Sequence, residues 1–266
     1  MSMMAFLRSV MLVRERVSDW SAYPFSIPAV RALERHPELP LHPKVTYLVG
    51  ENGSGKSTII EAIAVLAGLN AEGGSRNFRF STRSSESELY RCLRLVRGAR
   101  RERTSFFLRA ESFFNVATEI ERLDATGSYG GQSLHEQSHG ESFLAVIQNR
   151  FGPGGLYVLD EPEAALSPSK QILLLSKMHE LVTRGGSQFI IATHSPIVMA
   201  YPEATIYHLS QHGIEAVRYE DTEHYGLTRD FLLHRERFFK AIFDVDESAT
   251  SSEQALAARG RRRNER

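Results

Sequence analysis

The sequence predicts an α/β fold in which a mostly parallel sheet is covered by helices on both faces. Three short apolar segments have the composition of buried strands, and segments with apolar residues at helical spacing alternate with them. Buried parallel strands need helical crossovers on both faces, and this alternation supplies them. The three predicted buried strands cover residues 44–49, 156–159 and 188–192.

Length and charge limit the classes of protein that fit. The chain has 266 residues, of which 42% are apolar, enough for one large domain with a sizeable core. Lys and Arg together number 32, as do Asp and Glu, so no overall charge marks a nucleic-acid binder. No apolar run approaches the roughly 18 residues that cross a bilayer. We therefore expect a cytoplasmic protein with no membrane span.

The two ends of the chain are expected to differ from the central sheet. Residues 6–17 have a strand-like composition, and the proline-rich stretch 20–43 suggests a second short strand, so we expect an antiparallel β portion near the N-terminus. Residues 204–209 and 214–218 predict a hairpin. Residues 246–266 are rich in Ser, Ala and Arg and are expected to form a disordered basic tail.

The middle of the chain is predicted to alternate between helices and long loops. Frequent Gly and Ser residues indicate loops at 70–85 and 125–138. Helices are predicted at 87–96, 111–123, 141–151 and 169–182, and a strand at 104–109. A helical subregion is therefore expected at about 85–150.

A phosphate-binding loop follows the first buried strand and precedes a helix. The residues that fit G-x-x-x-x-G-K-[ST] are Gly50, Glu51, Asn52, Gly53, Ser54, Gly55, Lys56 and Ser57. Such a loop surrounds the phosphates of ATP with backbone N–H groups, while Lys56 reaches the β- and γ-phosphates and Ser57 ligates Mg²⁺. Thr58 is expected to support the α-phosphate. A flexible Gly-Ser turn is the alternative, which the flanking strand and helix disfavour.

Two acidic residues stand at the end of the second buried strand. Asp160 and Glu161 follow residues 156–159 directly, at the strand end where open α/β sheets bind ligands. We expect Asp160 to hold Mg²⁺, directly or through water, and Glu161 to act as general base on the attacking water. The alternative is a polar strand end followed by a turn.

Three further motifs follow in an order that resembles the ATP-binding-cassette (ABC) class of P-loop ATPases. Ser138-His139-Gly140-Glu141-Ser142 resembles the signature motif, Ala164-Ala165-Leu166-Ser167-Pro168 the loop that meets an opposing subunit, and Thr193-His194-Ser195-Pro196 the switch-histidine segment. The set is similar to soluble ATPases of the structural-maintenance, recombination-repair and phage-defence type, and to short bacterial AAA/ABC-like ATPases. The resemblance covers roughly 7–232, so 1–245 is expected to be one ABC-type ATPase domain.

The resemblance implies that two chains pair head to tail around ATP. Ser138 and Gly140 of one chain, in the motif that also contains Glu141, would contact the γ-phosphate held by the other chain. His194 would hold the γ-phosphate and the attacking water in line. The cofactors implied are ATP and Mg²⁺, and the partners are a second copy of the chain and an effector protein. The predicted catalytic residues are Glu161, His194 and Lys56.

Three features depart from the ABC pattern. The short span between Lys56 and Asp160 leaves no room for the long coiled coil of chromosome-maintenance ATPases. No glutamine occurs between Ser57 and Gln132, so the metal- and water-sensing glutamine of the class has no evident counterpart, and a residue of 70–85 is the expected replacement. His139 stands where the transporter form has glycine.

The partner and the coupled process stay open at this stage. Arg91, Arg94 and Arg97 recur every third residue, so a helix would carry them along one face, which suits either nucleic acid or a solvated surface with nearby acids. The basic tail allows the same two interpretations. Two other functions compete with a soluble ATPase: the nucleotide-binding subunit of a membrane transporter, and a non-hydrolysing interaction module in which Glu161 is structural.

Overall fold

The computed structural model describes residues 5–75, 87–122 and 137–263, together with Gly127, Ser133 and His135, and it describes side chains as far as Phe243. Most of each of the predicted loops at 125–138 and 70–85 therefore lies outside the described residues. Contacts divide the chain into two units, Met1–Thr222 and Glu223–Arg266. Within the described ranges, none of the helices is both long and apolar enough to span a bilayer.

The first unit combines β-strands and helices in the expected α/β order. In chain order the strands are β1 Leu7–Leu12, β2 Glu38–Pro40, β3 Val45–Val49, β4 Leu93–Arg97, β5 Thr104–Arg109, β6 Gly155–Asp160, β7 Gln188–Ala192, β8 Thr205–Ser210 and β9 Gly213–Val217. The helices are α1 Pro28–Ala32, α2 Lys56–Leu66, α3 Leu89–Cys92, α4 Phe113–Arg122, α5 His139–Arg150 and α6 Pro168–Thr183.

A six-stranded sheet in the order β5-β6-β7-β3-β8-β9 forms the centre of this unit. The strands from β5 to β8 pair in parallel, and β8 and β9 form the predicted antiparallel hairpin. Every residue of β3, β6 and β7 is buried. Side chains alternate between two cores, so Tyr47 and Tyr157 pack on one face while Leu48 and Val158 pack on the other. The predicted fold class is confirmed.

An antiparallel sheet of three strands, in the order β2-β1-β4, accounts for the β portion predicted near the N-terminus. One buried side chain, Gln188 at the start of β7, connects it to the central sheet. The Gln188 amide accepts hydrogen bonds from the N–H groups of Phe6 and Leu7 at 3.1 and 3.0 Å. It donates to the carbonyl oxygens of Leu7 and His42 at 2.8 and 2.9 Å.

The predicted helix at 87–96 is wrong. The structure has a single helical turn, α3, and then strand β4, which pairs with β1 through Leu93 opposite Leu12 and Leu95 opposite Val10. A partner strand from the far N-terminus overrides the local periodicity, and no local pattern reveals it. Arg94 therefore lies on a strand, so the arginines do not share a helix face. With β4 and β5 inside it, the segment 85–150 is not wholly helical.

The second unit consists of one helix, α7 Glu223–Arg263, with non-helical dihedral angles at His234. Helix covers 246–263, whereas the sequence predicts disorder for 246–266; the last three residues are not described. The difference has a local cause, because Ala, Leu, Gln, Glu and Arg are strong helix formers.

Candidate functional site

The glycines of the phosphate loop give it a backbone shape that other residues would strain. Gly50, Gly53 and Gly55 have φ angles of +144°, +79° and +99°. Two of them are also closely packed. A Cβ atom at Gly50 would lie 2.2 Å from the carbonyl oxygen of Leu209, and one at Gly55 would lie 2.8 Å from Ile27. The loop is therefore held between β8 and the residue that precedes α1.

Lys56 begins α2, and its side chain folds back over the loop. Its Nζ atom donates hydrogen bonds to the carbonyl oxygens of Gly50 at 2.8 Å and Glu51 at 3.0 Å. Burial lowers the pKa of Lys56, although the nearby carboxylates, Glu161 and Asp160 foremost, oppose the shift. The buried Ser54 hydroxyl has no hydrogen-bond partner among the described residues. Cationic and polar groups of the loop are thus in place for an anionic ligand.

Ser57, the next residue of α2, faces Asp160 across the sheet edge. Ser57 Oγ lies 3.1 Å from Asp160 Oδ1, and Asp160 is the last residue of β6. Adjacent ligands of an octahedral Mg²⁺ ion lie about 3 Å apart, because each Mg–O distance is about 2.1 Å. A hydroxyl and a carboxylate at this separation fit that ion, with phosphate oxygens and water completing its shell.

Asp160 is held on its other side by a buried ion-pair network. Arg109 Nε donates to Asp160 Oδ2 at 3.0 Å, and Arg109 Nη1 donates to Glu61 Oε2 at 2.9 Å. Burial raises the pKa of Asp160 to about 6, while Arg109 and Ser57 partly offset the effect. Burial lowers the pKa of Arg109, but the charges of Asp160 and Glu61 outweigh it, so the net shift is upward.

Sequence reasoning missed Arg109 and Glu61. A signal for Arg109 was present, because Arg109 ends the predicted strand 104–109. Since β5 and β6 pair in parallel, Arg109 lies directly opposite Asp160. Pairing the predicted strand ends would have found it. Glu61 offers no such signal, because a glutamate on an amphipathic helix ordinarily faces solvent.

Glu161 differs from Asp160 in backbone and in surroundings. Its φ and ψ angles of 49° and 53° are left-handed, which is uncommon for a residue other than glycine. Its Oε1 atom lies 3.3 Å from Nε2 of His194, and its side chain is 38% exposed. The predicted base and the predicted switch histidine therefore lie side by side, within reach of water.

Glu163 holds the segment that carries His194. Its Oε2 accepts a hydrogen bond from Thr193 Oγ1 at 2.8 Å, and its Oε1 accepts one from the backbone N–H of His194 at 2.5 Å. Burial raises the pKa of Glu163, and these hydrogen bonds oppose the shift. Glu163 has no predicted role, although a third carboxylate so close to Asp160 and Glu161 in the sequence is a signal for one.

The signature segment begins helix α5. The backbone N–H and the hydroxyl of Ser138 both donate to Glu141, which caps the helix. The pKa of Glu141 is lowered, mainly by the hydrogen bond from the Ser138 hydroxyl. The hydrogen bond from the Ser138 N–H and the charge of Lys170 add to this shift. A Cβ atom at Gly140 would lie 2.9 Å from the carbonyl oxygen of Ala165, so the segment packs closely on the loop after the acidic pair.

A cavity of about 170 Å³ joins these parts. Its wall includes groups from the phosphate loop, the acidic strand end and the signature segment of the same chain. The contact of Ser138 and Gly140 with a partner's γ-phosphate stays a prediction, because it concerns a second chain. Lining residues that bear on the chemistry are Ser57, Arg109, Glu111, His139, Asp160 and Glu161.

The remaining predicted site residues are on the phosphate loop and on the first turn of α2. Glu51 and Asn52 are exposed at the tip of the loop, and Thr58 is half-buried on the first turn of α2. The segment expected to replace the missing glutamine is described only at 70–75, where the Ala71 carbonyl oxygen lies 3.5 Å from Arg109 Nη1. Among the described residues, no group of three His, Cys, Asp or Glu side chains could hold a metal ion.

Two family models match the chain. One is described as "AAA domain" and matches residues 26–137, and the other is described as "AAA domain, putative AbiEii toxin, Type IV TA system" and matches residues 113–200. No curated protein matches the sequence.

Solved structures of similar fold include ABC cassettes and an SMC head. The SMC head domain from Thermotoga maritima is 18% identical over 68% of this chain and 92% of that chain, with a TM-score of 0.38. Part of an ABC transporter complex from Clostridium perfringens is 18% identical over 75% and 88%, with a TM-score of 0.42. A dimeric ATP-binding cassette in a post-hydrolysis state with ADP and Pi is 17% identical over 70% and 90%, with a TM-score of 0.43.

The family matches and the geometry of the site agree. The first AAA-domain match contains the whole phosphate loop, and the second contains Asp160, Glu161 and His194. The central sheet brings the two matched segments together at the contact between Ser57 and Asp160. The chain therefore matches AAA-domain models in two segments that together cover residues 26–200, and its fold is similar to that of P-loop ATPases.

Proposed function

We propose that the protein binds Mg-ATP at residues 50–58 and hydrolyses it. The observation that carries this proposal is the 3.1 Å distance between Ser57 Oγ and Asp160 Oδ1, two groups separated by 103 positions in the sequence. At this distance the two groups can ligate the same cation. In P-loop ATPases, phosphoryl transfer requires a cation held in this way between a phosphate-binding loop and an acidic strand end.

The residues around this contact divide the work. The loop N–H groups and Lys56 bind the phosphates, and Ser57 with Asp160 holds Mg²⁺, which when bound neutralises charge on the β- and γ-phosphates. Glu161 accepts a proton from the attacking water. His194, 3.3 Å from Glu161, orients that water and the γ-phosphate. Proton transfer by a positioned base contributes about 10²- to 10⁴-fold to a rate.

We also propose that ATP joins two chains, with the signature segment of each closing over the nucleotide of the other. In support, Ser138, His139 and Glu141 are exposed at the start of α5, where helix N–H groups can meet phosphate oxygens. In this dimer, hydrolysis drives a conformational change in a partner protein or a nucleic acid. The ATPase domain extends over 1–245, and the site residues all fall in the described unit Met1–Thr222.

Steady-state phosphate release tests hydrolysis. The wild-type protein with Mg-ATP should release phosphate, and Glu161→Gln should reduce the rate by about 10²-fold or more while it still binds ATP. Glu215→Gln is the matched control, because Glu215 is also exposed but lies on β9, away from the acidic pair. An equal rate in Glu161→Gln and in the control would rule out the assigned base. Absence of nucleotide binding by the wild-type chain would remove the whole proposal.

Light scattering tests the dimer. Glu161→Gln with Mg-ATP should show twice the mass that it shows with ADP, because slow hydrolysis retains the bridging nucleotide. Glu161→Gln combined with Lys56→Ala should stay monomeric in both, since it lacks the lysine that contacts the phosphates. A mass that is independent of nucleotide would contradict the paired arrangement.

A further inference from the structure

A chain of buried polar contacts leads from α2 to the metal-holding carboxylate. Glu61 accepts a hydrogen bond from the backbone N–H of Ser87 with Oε1 at 3.0 Å and one from Arg109 with Oε2 at 2.9 Å. Arg109 then donates to Asp160 with Nε at 3.0 Å. The exposed fractions of the three side chains are 9%, 17% and 4%, so the chain lies largely out of water.

The two oxygens of Asp160 have different partners, which decides what Arg109 does. Arg109 holds Oδ2, whereas Oδ1 faces the Ser57 hydroxyl. A carboxylate held at one oxygen cannot rotate about its terminal bond without losing that hydrogen bond. The other oxygen is thereby kept toward Ser57, in the orientation that a cation shared with Ser57 requires.

We propose that Arg109 is a positioning residue for the metal site, which fixes Asp160 so that Oδ1 is presented beside Ser57, and that Glu61 in turn fixes Arg109. This inference rests on the proposed function, because it concerns the cation bound with ATP. It adds two residues that belong to none of the motifs, one from the end of β5 and one from α2.

A competing role for the same arginine would be to occupy the place of the cation. The positions of the bonds argue against it. A guanidinium that replaced the ion would bridge Asp160 Oδ1 and Ser57 Oγ, but the bonds of Arg109 go to the opposite oxygen of Asp160 and to Glu61. The two roles also predict opposite effects, since removing a competitor strengthens cation binding and removing a positioning group weakens it.

The test measures how strongly the cation and the nucleotide help each other to bind. Calorimetric titration with ADP, in EDTA and then in excess MgCl₂, gives two dissociation constants whose ratio reports the cation alone. Titration of free Mn²⁺ by electron paramagnetic resonance, with ADP present, gives the metal affinity directly. Neither measurement requires turnover.

Arg109→Gln should reduce the Mg²⁺ ratio by about tenfold or more, the size expected when the support of a metal ligand is removed. Its ADP affinity in EDTA should stay close to that of wild type, because the phosphate loop is unchanged. Arg109→Lys retains the charge but not the planar fork, so it should recover only part of the ratio. Glu61→Gln, which still accepts from Ser87, should reduce it less. Arg103→Gln, an exposed arginine before the same strand, is the control.

The outcomes separate the two proposals. A wild-type protein that binds ADP with no gain from Mg²⁺, or that does not bind ADP, overturns the proposed function and this inference with it. A wild-type gain that Arg109→Gln retains or exceeds overturns only the role of Arg109. Should Arg109→Gln fail to fold, as judged by circular dichroism, an unchanged ratio in both Arg109→Lys and Glu61→Gln overturns it equally.

Discussion

The two ends of the central parallel strands are built from different kinds of buried polar groups. At the amino ends, Gln188 makes four hydrogen bonds to backbone groups, which uses both lone pairs and both N–H groups of its amide. Nearby, the Ser187 hydroxyl accepts from Gly155 N–H at 3.1 Å and donates to the Gly152 carbonyl at 3.3 Å. Both side chains are uncharged, and their hydrogen-bonding groups have partners.

At the carboxyl ends the buried groups are charged, and part of their bonding capacity is open. Lys56 rests on two loop carbonyls, Asp160 has a pKa raised by burial, and the Ser54 hydroxyl has no partner among the described residues. Glu161 adopts left-handed dihedral angles. Buried polar groups that are left unsatisfied lower stability, so the Ser54 hydroxyl and the left-handed Glu161 at the carboxyl ends indicate that this end is arranged for a ligand.

Stability and ligand binding are therefore expected to depend on opposite ends of the central strands. Substitutions at the amino ends should change the free energy of unfolding and leave nucleotide binding intact. Substitutions that remove the unsatisfied polar groups at the carboxyl ends should affect nucleotide binding by more than they affect unfolding. Four experiments probe the two ends, and they are ordered by the largest change in stability expected in each.

Replacing the buried amide should have the largest effect. Gln188→Ala would leave two N–H groups and two carbonyl groups without partners at the junction of the two sheets. Each such group costs about 1–3 kcal/mol, so we expect unfolding free energy to fall by about 4 kcal/mol. Chemical denaturation of Gln188→Ala and of the exposed control Gln211→Ala measures it. A loss below about 1 kcal/mol would mean that water replaces the amide.

Two glycines of the phosphate loop separate packing from backbone strain. Gly50→Ala would place a methyl group 2.2 Å from a carbonyl oxygen, whereas a methyl group at Gly53 would meet no atom within 4 Å. Both have positive φ angles. We expect losses of about 3 kcal/mol for Gly50→Ala, from strain and overpacking, and about 1 kcal/mol for Gly53→Ala, from strain alone. Equal melting temperatures for the two variants would show that β8 moves aside.

The parts of the molecule that could be predicted from the sequence are those that depend on residues close together in the chain. Strands β5 and β7 begin and end where predicted, and the phosphate loop was visible because its residues are consecutive. The missed parts depend on distant partners. Strand β4 exists because β1 pairs with it, and the contact of Arg109 with Asp160 exists because two parallel strands end side by side. Short sequence motifs do not reveal which distant segments pair with each other. Gln188 and Glu61, which also depend on distant partners, belong to no motif.

Acidification should weaken the amino-end edge through His42. Its Nδ1 accepts hydrogen bonds from the N–H groups of Lys44 and Val45 at 3.2 and 3.3 Å, so the neutral ring is required. Burial, assisted by the charge of Lys44, lowers the pKa of His42. The unfolded chain therefore takes up this proton first, near its ordinary pKa of about 6.5. Stability is lost as pH falls through about 6.5 toward the lower folded value.

His42→Ala isolates that contribution. As the pH falls from 7.5 to 5, the unfolding free energy of the wild type should fall more steeply than that of the variant. The difference between the two slopes should correspond to the uptake of less than one proton on unfolding. The other histidines are common to both proteins, so they cancel in the difference. Parallel curves for the two proteins would show that His42 titrates alike in the folded and unfolded chain.

Two serines compare the two ends directly, and one of them, Ser54, has the smallest expected change in stability. Ser187→Ala breaks two hydrogen bonds among amino-end backbone groups and should cost about 1–2 kcal/mol while ADP affinity is unchanged. Ser54→Ala removes a hydroxyl that has no partner among the described residues, so stability should change by less than about 0.5 kcal/mol. If that hydroxyl donates a hydrogen bond to a phosphate, ADP should bind to Ser54→Ala about fivefold more weakly, which is the effect expected from the loss of one hydrogen bond. A Ser54→Ala protein that loses stability and keeps its ADP affinity would show that both ends of the strands are built alike.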